Sequence, residues 1–122
     1  MPVKTLGERL IATAFLGLLA GGPVLAAGPS TYERTMSGII ASAKESKSEH
    51  VRLWRLFDEY WANKMRECPE WATSVGFPGQ NGRWTDMSLA AIERRKRELS
   101  APLKALKSID RSKLSKEDQL NY

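Results

Sequence analysis

Apolar residues recur at helical intervals through the second half of the chain. Over residues 49–66, His50, Leu53, Trp54, Phe57, Tyr60, Trp61, Lys64 and Met65 fall on one stripe when the chain is wound at about 100° per residue. Arg52, Arg55, Glu59, Asn63 and Arg66 fall opposite. The pattern predicts an amphipathic helix whose aromatic side faces a core. On its wet side, Glu49 with Arg52 and Arg55 with Glu59 are spaced to pair, each pair worth about 0.2–0.5 kcal/mol. A second stripe, Leu89, Ile92, Leu99, Leu103 and Leu106, keeps a near-heptad spacing behind an N-cap at Ser88. Pro102 interrupts it and should kink that helix or restart it near Ser100, because proline removes a backbone donor and crowds the preceding turn. No stretch alternates with the period of two that strands need. The fold class is therefore all-α, amphipathic helices packed together.

The shorter segments are set by their punctuation. Ser30-Thr31-Tyr32-Glu33 resembles a capping box, with Met36, Ile39, Ile40 and Ala43 following at helical spacing, so residues 29–48 read as a weakly helical lead-in to a helical region over 49–122. Pro69 suits the first turn of a helix and Gly76 its end, which makes Pro69-Glu70-Trp71-Ala72-Thr73-Ser74-Val75 a short helix. Residues 77–85, with Pro78, Gly79, Asn81 and Gly82, form a loop. They lack the spacing of a phosphate-binding loop. Ser115, with Asp118 three residues on, starts one more helix, and the chain stops about two turns later. The expectation is that these residues are the front portion of a longer protein.

The first residues change the picture from a plain helical domain to an exported one. Lys4 and Arg9 make a short basic region, residues 10–20 are unbroken apolar, and Gly21-Gly22-Pro23 precedes the small residues Ala26, Ala27 and Gly28. Residues 1–28 therefore read as a cleavable signal peptide, cut after Ala26 or Gly28, and the product as periplasmic or secreted. A retained anchor is disfavoured by the Gly-Gly-Pro interruption, so contact with a membrane is expected only during export.

Roughly 94 residues remain after that cut, enough for one small domain. Cys68 is the only cysteine, so no intramolecular disulfide can brace them. The full chain has 19 Lys and Arg against 14 Asp and Glu, a net charge of +5. The run Glu93-Arg94-Arg95-Lys96-Arg97-Glu98 looks like a nucleic-acid motif until wound into a helix. Glu93 with Arg97 and Arg94 with Glu98 then pair at four-residue spacing, and a solvated face is preferred. Together with export, this leaves no nucleic-acid partner. Candidate chemistry is sparse. His50 is the sole histidine and reads as a packed structural residue, Cys68 as an inert half-buried thiol. Asp58-Glu59, Glu67 with Glu70, and Glu117-Asp118 read as surface charges, because adjacent carboxylates on a helix diverge. No catalytic, cofactor-binding or metal-ligating residue is assigned.

The order of features nonetheless resembles a known family. Phe57-Asp58-Glu59-Tyr60-Trp61, Pro69-Glu70-Trp71-Ala72-Thr73 with Gly76, Asp86-Met87-Ser88, Ile109-Asp110 and Leu114-Ser115-Lys116-Glu117-Asp118-Gln119-Leu120-Asn121-Tyr122 follow one another as at the start of bacterial proteins in the domain-of-unknown-function family 885. The likeness covers residues 51–122. It implies a long, mainly helical, exported parent similar to zinc metallopeptidases of the zincin type. In such a parent, a Zn²⁺-bound water would attack the carbonyl of a peptide substrate, with a glutamate as base. The HExxPGHH-like stretch that would hold the metal lies far toward the C-terminus in that family and is absent from these residues, so this chain carries no zinc ligand or other cofactor of its own. The resemblance further implies that the Leu53/Trp54/Phe57/Trp61 face docks the C-terminal part of the parent. The alternative is a non-enzymatic helical module of the cell envelope that binds a protein or a surface through the same aromatic face.

Expression in a bacterium should yield a periplasmic product whose N-terminal sequence begins at Ala27 or Pro29. Recovery of Met1 on a soluble cytoplasmic product would contradict the leader.

Overall fold

The computed structural model describes residues 28–45 and 48–122, so the leader lies outside the described residues. Within them the chain is all-α, with no strand. The order is α1 (Thr31–Ala41), a 3₁₀ turn (Ser42–Glu45), α2 (Glu49–Glu67), α3 (Pro69–Ser74), α4 (Leu89–Glu98), α5 (Ala101–Lys107), a second 3₁₀ turn (Arg111–Lys113) and α6 (Lys116–Asn121). No described helix is long and apolar enough to cross a membrane.

The helix boundaries follow local chemistry. The box at the start of α1 is complete: Ser30 Oγ accepts from Glu33 N at 3.1 Å while Glu33 Oε2 accepts from Ser30 N at 2.7 Å. Pro69 stands at the start of α3 and forces the preceding Cys68 out of helical geometry, to φ −127° and ψ 69°. Gly76 takes φ +75°, and the helix closes as a Schellman motif, with Phe77 N donating to Ala72 O and Gly76 N to Thr73 O. Ser88 caps α4 by accepting from Ala91 N at 3.2 Å. Pro102 has no N–H to give Glu98 O, so the helix breaks at Leu99-Ser100 and resumes at Ala101, as its position predicts.

The core sits where α1, α2 and α5 meet. Tyr32, Met36 and Ile39 from α1 pack with Leu53 and Leu56 from α2, Ala105 from α5, and Ile109 and Leu114 beyond it; Phe57 and Tyr122 lie half-buried against them. Segment 29–48 is thus no lead-in, because α1 supplies three core side chains and packs on both α2 and α5. A short apolar stretch in polar surroundings is weak alone and becomes helix when neighbours bury its one face. Ile40 and Ala43, expected on that face, point out and are exposed.

The largest departure from expectation is the rotation of α2. Its first half buries Arg52, Leu53 and Leu56, while Trp54 and Trp61 stay about two-fifths exposed. Arg52, assigned from its spacing to the wet side, is 2% exposed. All five guanidinium donors are used. Nε and Nη2 reach Ile39 O at 3.3 and 3.2 Å, Nη1 reaches Glu49 Oε2 at 2.7 Å and Ser108 O at 3.2 Å, and Nη2 also reaches Ser108 Oγ at 2.8 Å. The Glu49–Arg52 pair therefore exists as its spacing suggests, but inside the protein. No ion pair joins Arg55 to Glu59 among the described residues.

The second stripe departs in part. Leu106 packs against the core as expected, but Leu89, Leu99 and Leu103 are exposed, and the residues α4 and α5 bury are Ala91, Glu98 and Ala105.

Arg52→Ala should lower unfolding free energy by about 3–5 kcal/mol, since it leaves the Glu49 carboxylate without its counter-charge and takes a donor from the Ile39 and Ser108 carbonyls and the Ser108 hydroxyl. Arg52→Lys should recover only part of the loss, because an ammonium has three donors and no planar fork. Urea unfolding followed by far-UV circular dichroism reads both.

Candidate functional site

Three groupings of polar and aromatic side chains stand out, each formed by residues distant in sequence. The first joins the start of α2 to α6. His50 Nδ1 lies 2.7 Å from Asp118 Oδ2, and Trp54 Nε1 donates to Asp118 Oδ1 at 3.0 Å. Ser115 Oγ accepts from Asp118 N at 3.1 Å, as an N-cap should. The reciprocal half of the predicted capping box does not form, because the Asp118 carboxylate is committed to His50 and Trp54. Asp118 is buried, correcting its assignment as a surface charge; His50, expected to be packed, is mostly exposed at its side chain. The hydrogen bond from His50, with help from Trp54 and Ser115, outweighs burial and holds Asp118 below its ordinary carboxyl range. An imidazole oriented by a carboxylate has the layout of a general base. Through these two bonds Asp118 ties α6 to the start of α2.

The second grouping is aromatic. Trp61 of α2 and Trp71 of α3 meet edge to face, ring centres 5.4 Å apart, and Trp54 meets Phe57 in the same way at 5.8 Å. The expected continuous face of Leu53, Trp54, Phe57 and Trp61 is divided. Leu53 is fully buried inside the chain, Phe57 is half-buried against the core, and the two tryptophans keep their outer surfaces in water.

The third grouping is ionic and lies between α2 and α4. Arg94 Nη2 meets Glu67 Oε2 at 2.7 Å, Arg94 Nη1 meets Glu98 Oε2 at 3.0 Å, and Arg95 Nη1 approaches Glu67 Oε2 at 3.3 Å. Arg95 also donates to Asp86 O at 2.7 Å. The basic run 93–98 is therefore not wholly a solvated face. Arg94 pairs with Glu98 as its spacing predicts, but Glu98 is buried, and Glu93 pairs with Lys96 rather than Arg97. Burial would raise Glu67, yet the hydrogen bonds and charges of Arg94 and Arg95 prevail and hold it below the usual carboxylate range. Glu70 is likewise no free charge, because it accepts from Thr85 N and Oγ1 and ties the loop back to α3.

Beside this network Tyr32 is buried, and its hydroxyl has no hydrogen-bond partner among the described residues. Burial, reinforced by Tyr60, Glu98 and Glu59, pushes the phenol up to about 12. The hydroxyl thus stays protonated and able to donate. No sequence motif marks it, since Tyr32 sits in an apolar helical stripe and only the tertiary fold encloses it.

Cys68 is a half-buried free thiol. No three His, Cys, Asp or Glu side chains converge to hold a metal among the described residues. No protein-family model matches the chain, and neither a characterised protein nor a solved structure does.

The ion pairs make stability fall in acid. Asp118 and Glu67 titrate lower when folded than when unfolded, so their contribution is complete above about pH 5 and is lost progressively as pH drops through and below the ordinary carboxylate range near 4. The urea midpoint should fall between about pH 5 and pH 3, and less steeply in Asp118→Asn.

Proposed function

We propose that the chain is the helical N-terminal region of an exported protein resembling zincin-type metallopeptidases, and that its role there is to support the catalytic part rather than to supply reacting groups. The observation that carries this reading is the apolar surface left uncovered on two sides. Leu89 and Leu99 are 81% and 76% exposed, with Leu103 beside them in the stripe, and Trp54, Trp61 and Trp71 present their outer surfaces. Large apolar side chains left this exposed are available to a docking partner. In the proposed parent, the remaining chain covers the exposed tryptophans and leucines, and Leu53 takes no part. Zinc, if the parent holds it, is assigned to residues outside those described here, and the peptide substrate with it. The reading also takes support from the order of motifs over residues 51–122 and from the export leader.

A second reading has one observation in its favour. The Arg52 network and the core around it close without help from elsewhere, which suits a self-standing module of the cell envelope that binds a protein or a surface.

The two readings part in one experiment. The reading frame downstream of Tyr122 is sequenced, and its complete product is compared with residues 29–122 for zinc content, peptide hydrolysis and binding of a hydrophobic dye. The proposal expects stoichiometric zinc and hydrolysis in the complete product alone, with dye bound by the short chain and not by the long one. A stop codon after Tyr122, with a sharply melting product that ignores the dye, would favour the module.

A further inference from the structure

A cleft of about 290 Å³ runs between the C-terminal half of α2 and the α4–α5 junction, near the lower end of the size range of small-molecule sites, about 300–1,000 Å³. One wall is apolar: Leu99, Pro102 and the ring of Tyr60. The other carries Asn63 and Lys64 from α2, with Tyr32 contributed by α1. The carboxylates at its edge, Glu67 and Glu98, are both engaged by Arg94, and Arg95 is engaged by Glu67 and Asp86 O. The groups with bonding capacity to spare are the Lys64 ammonium, which donates, and the Asn63 amide, which can donate or accept; neither makes a side-chain hydrogen bond or ion pair among the described residues. Tyr32, 7% exposed, closes the inner wall with its hydroxyl enclosed and without a partner among the described residues.

Surplus donors on one wall and an unpolarised apolar surface on the other call for an acceptor carried on a hydrophobic body. A polyphosphate would need several free cations, and here Lys64 stands alone. An amine would need a free carboxylate, and both at the edge are already paired. We propose that this cleft binds a small carboxylate with an apolar or aromatic body. The carboxylate meets Lys64 and Asn63, and the body lies on Leu99, Pro102 and Tyr60, with Tyr32 closing the inner wall. Two sources share this chemistry: a free organic acid, and the C-terminal carboxylate of a peptide ending in an apolar residue. Leu99 is shared with the surface proposed to dock a catalytic region, so the site is open in this chain alone, which its test uses; its other residues take no part in that docking.

The test uses the full chain without any added partner. N-acetylphenylalanine, its amide and the tripeptide Gly-Gly-Phe are titrated while backbone amide chemical shifts are followed. The acid should bind saturably, shifting residues 60–64 and 95–102, and the amide should bind about tenfold more weakly or worse, as loss of a charge-assisted hydrogen bond requires. Lys64→Met, at an exposed position where folding is not at risk, should weaken the acid about tenfold as well. Asn63→Leu, which keeps the size of the side chain and removes its amide, should weaken it several-fold. Binding of Gly-Gly-Phe at least as tight as the acid assigns the site to chain ends; tighter binding of the acid assigns it to free acids. Equal binding of acid and amide, wild-type affinity in either variant, or shifts confined to Trp61 and Trp71 would overturn the proposal.

Discussion

The fold turns on one buried guanidinium. Arg52 lies inside a small helical domain that has no disulfide to brace it, and burying a cation is costly unless every donor is met and a counter-charge is close. Both conditions hold. Its donors close on the C-terminal end of α1 through Ile39 O, on Glu49 one turn earlier in α2, and on Ser108 at the end of α5. Ile39 O also accepts from Ser42 Oγ, and Glu49 Oε2 also accepts from Asp110 N, so the turns after α1 and after α5 hang on the same cluster. The apolar core lies directly around it, since Leu53 is the next residue and Ile39 provides both an accepting carbonyl and a core side chain. Orientation follows: with Arg52 turned inward, Leu56 comes in beside it and the tryptophans turn out.

That rotation connects the core to the surface chemistry. The aromatic surface on α2 and α3 and the leucine edge of α4 and α5 are the parts of the helices that the Arg52-centred packing leaves over. Edge-to-face contact between Trp61 and Trp71 covers part of that area without removing it from water. The ionic network of Glu67, Arg94, Arg95 and Glu98 holds α4 against the far end of α2, and in doing so uses both carboxylates beside the Tyr32 cleft. The exposed aromatic and leucine surfaces and the cleft beside Tyr32 are therefore products of one packing choice seen from different sides.

Much of the local architecture was legible in the chain. Ser30, Ser88 and Ser115 cap their helices, Pro69 opens one, Gly76 closes one and Pro102 breaks one, each for a reason confined to four or five residues. The candidate sites were not legible. Asp118 becomes a buried anchor only because His50 and Trp54, 68 and 64 residues away, reach it, and Glu98 is buried although Arg94, which pairs with it, lies one turn away on the same helix.

What the sequence by itself determined is thus the all-α class and where helices begin and end, because caps, prolines and helical period act over one or two turns. Which face of each helix is inside was decided by tertiary structure. A stripe weighted by large aromatic rings pointed to Trp54 and Trp61, but the inward face of α2 carries an arginine whose acceptors lie 13 and 56 residues away. A charged side chain reads as solvent-facing until its partners are known. Only the folded chain brings those partners together.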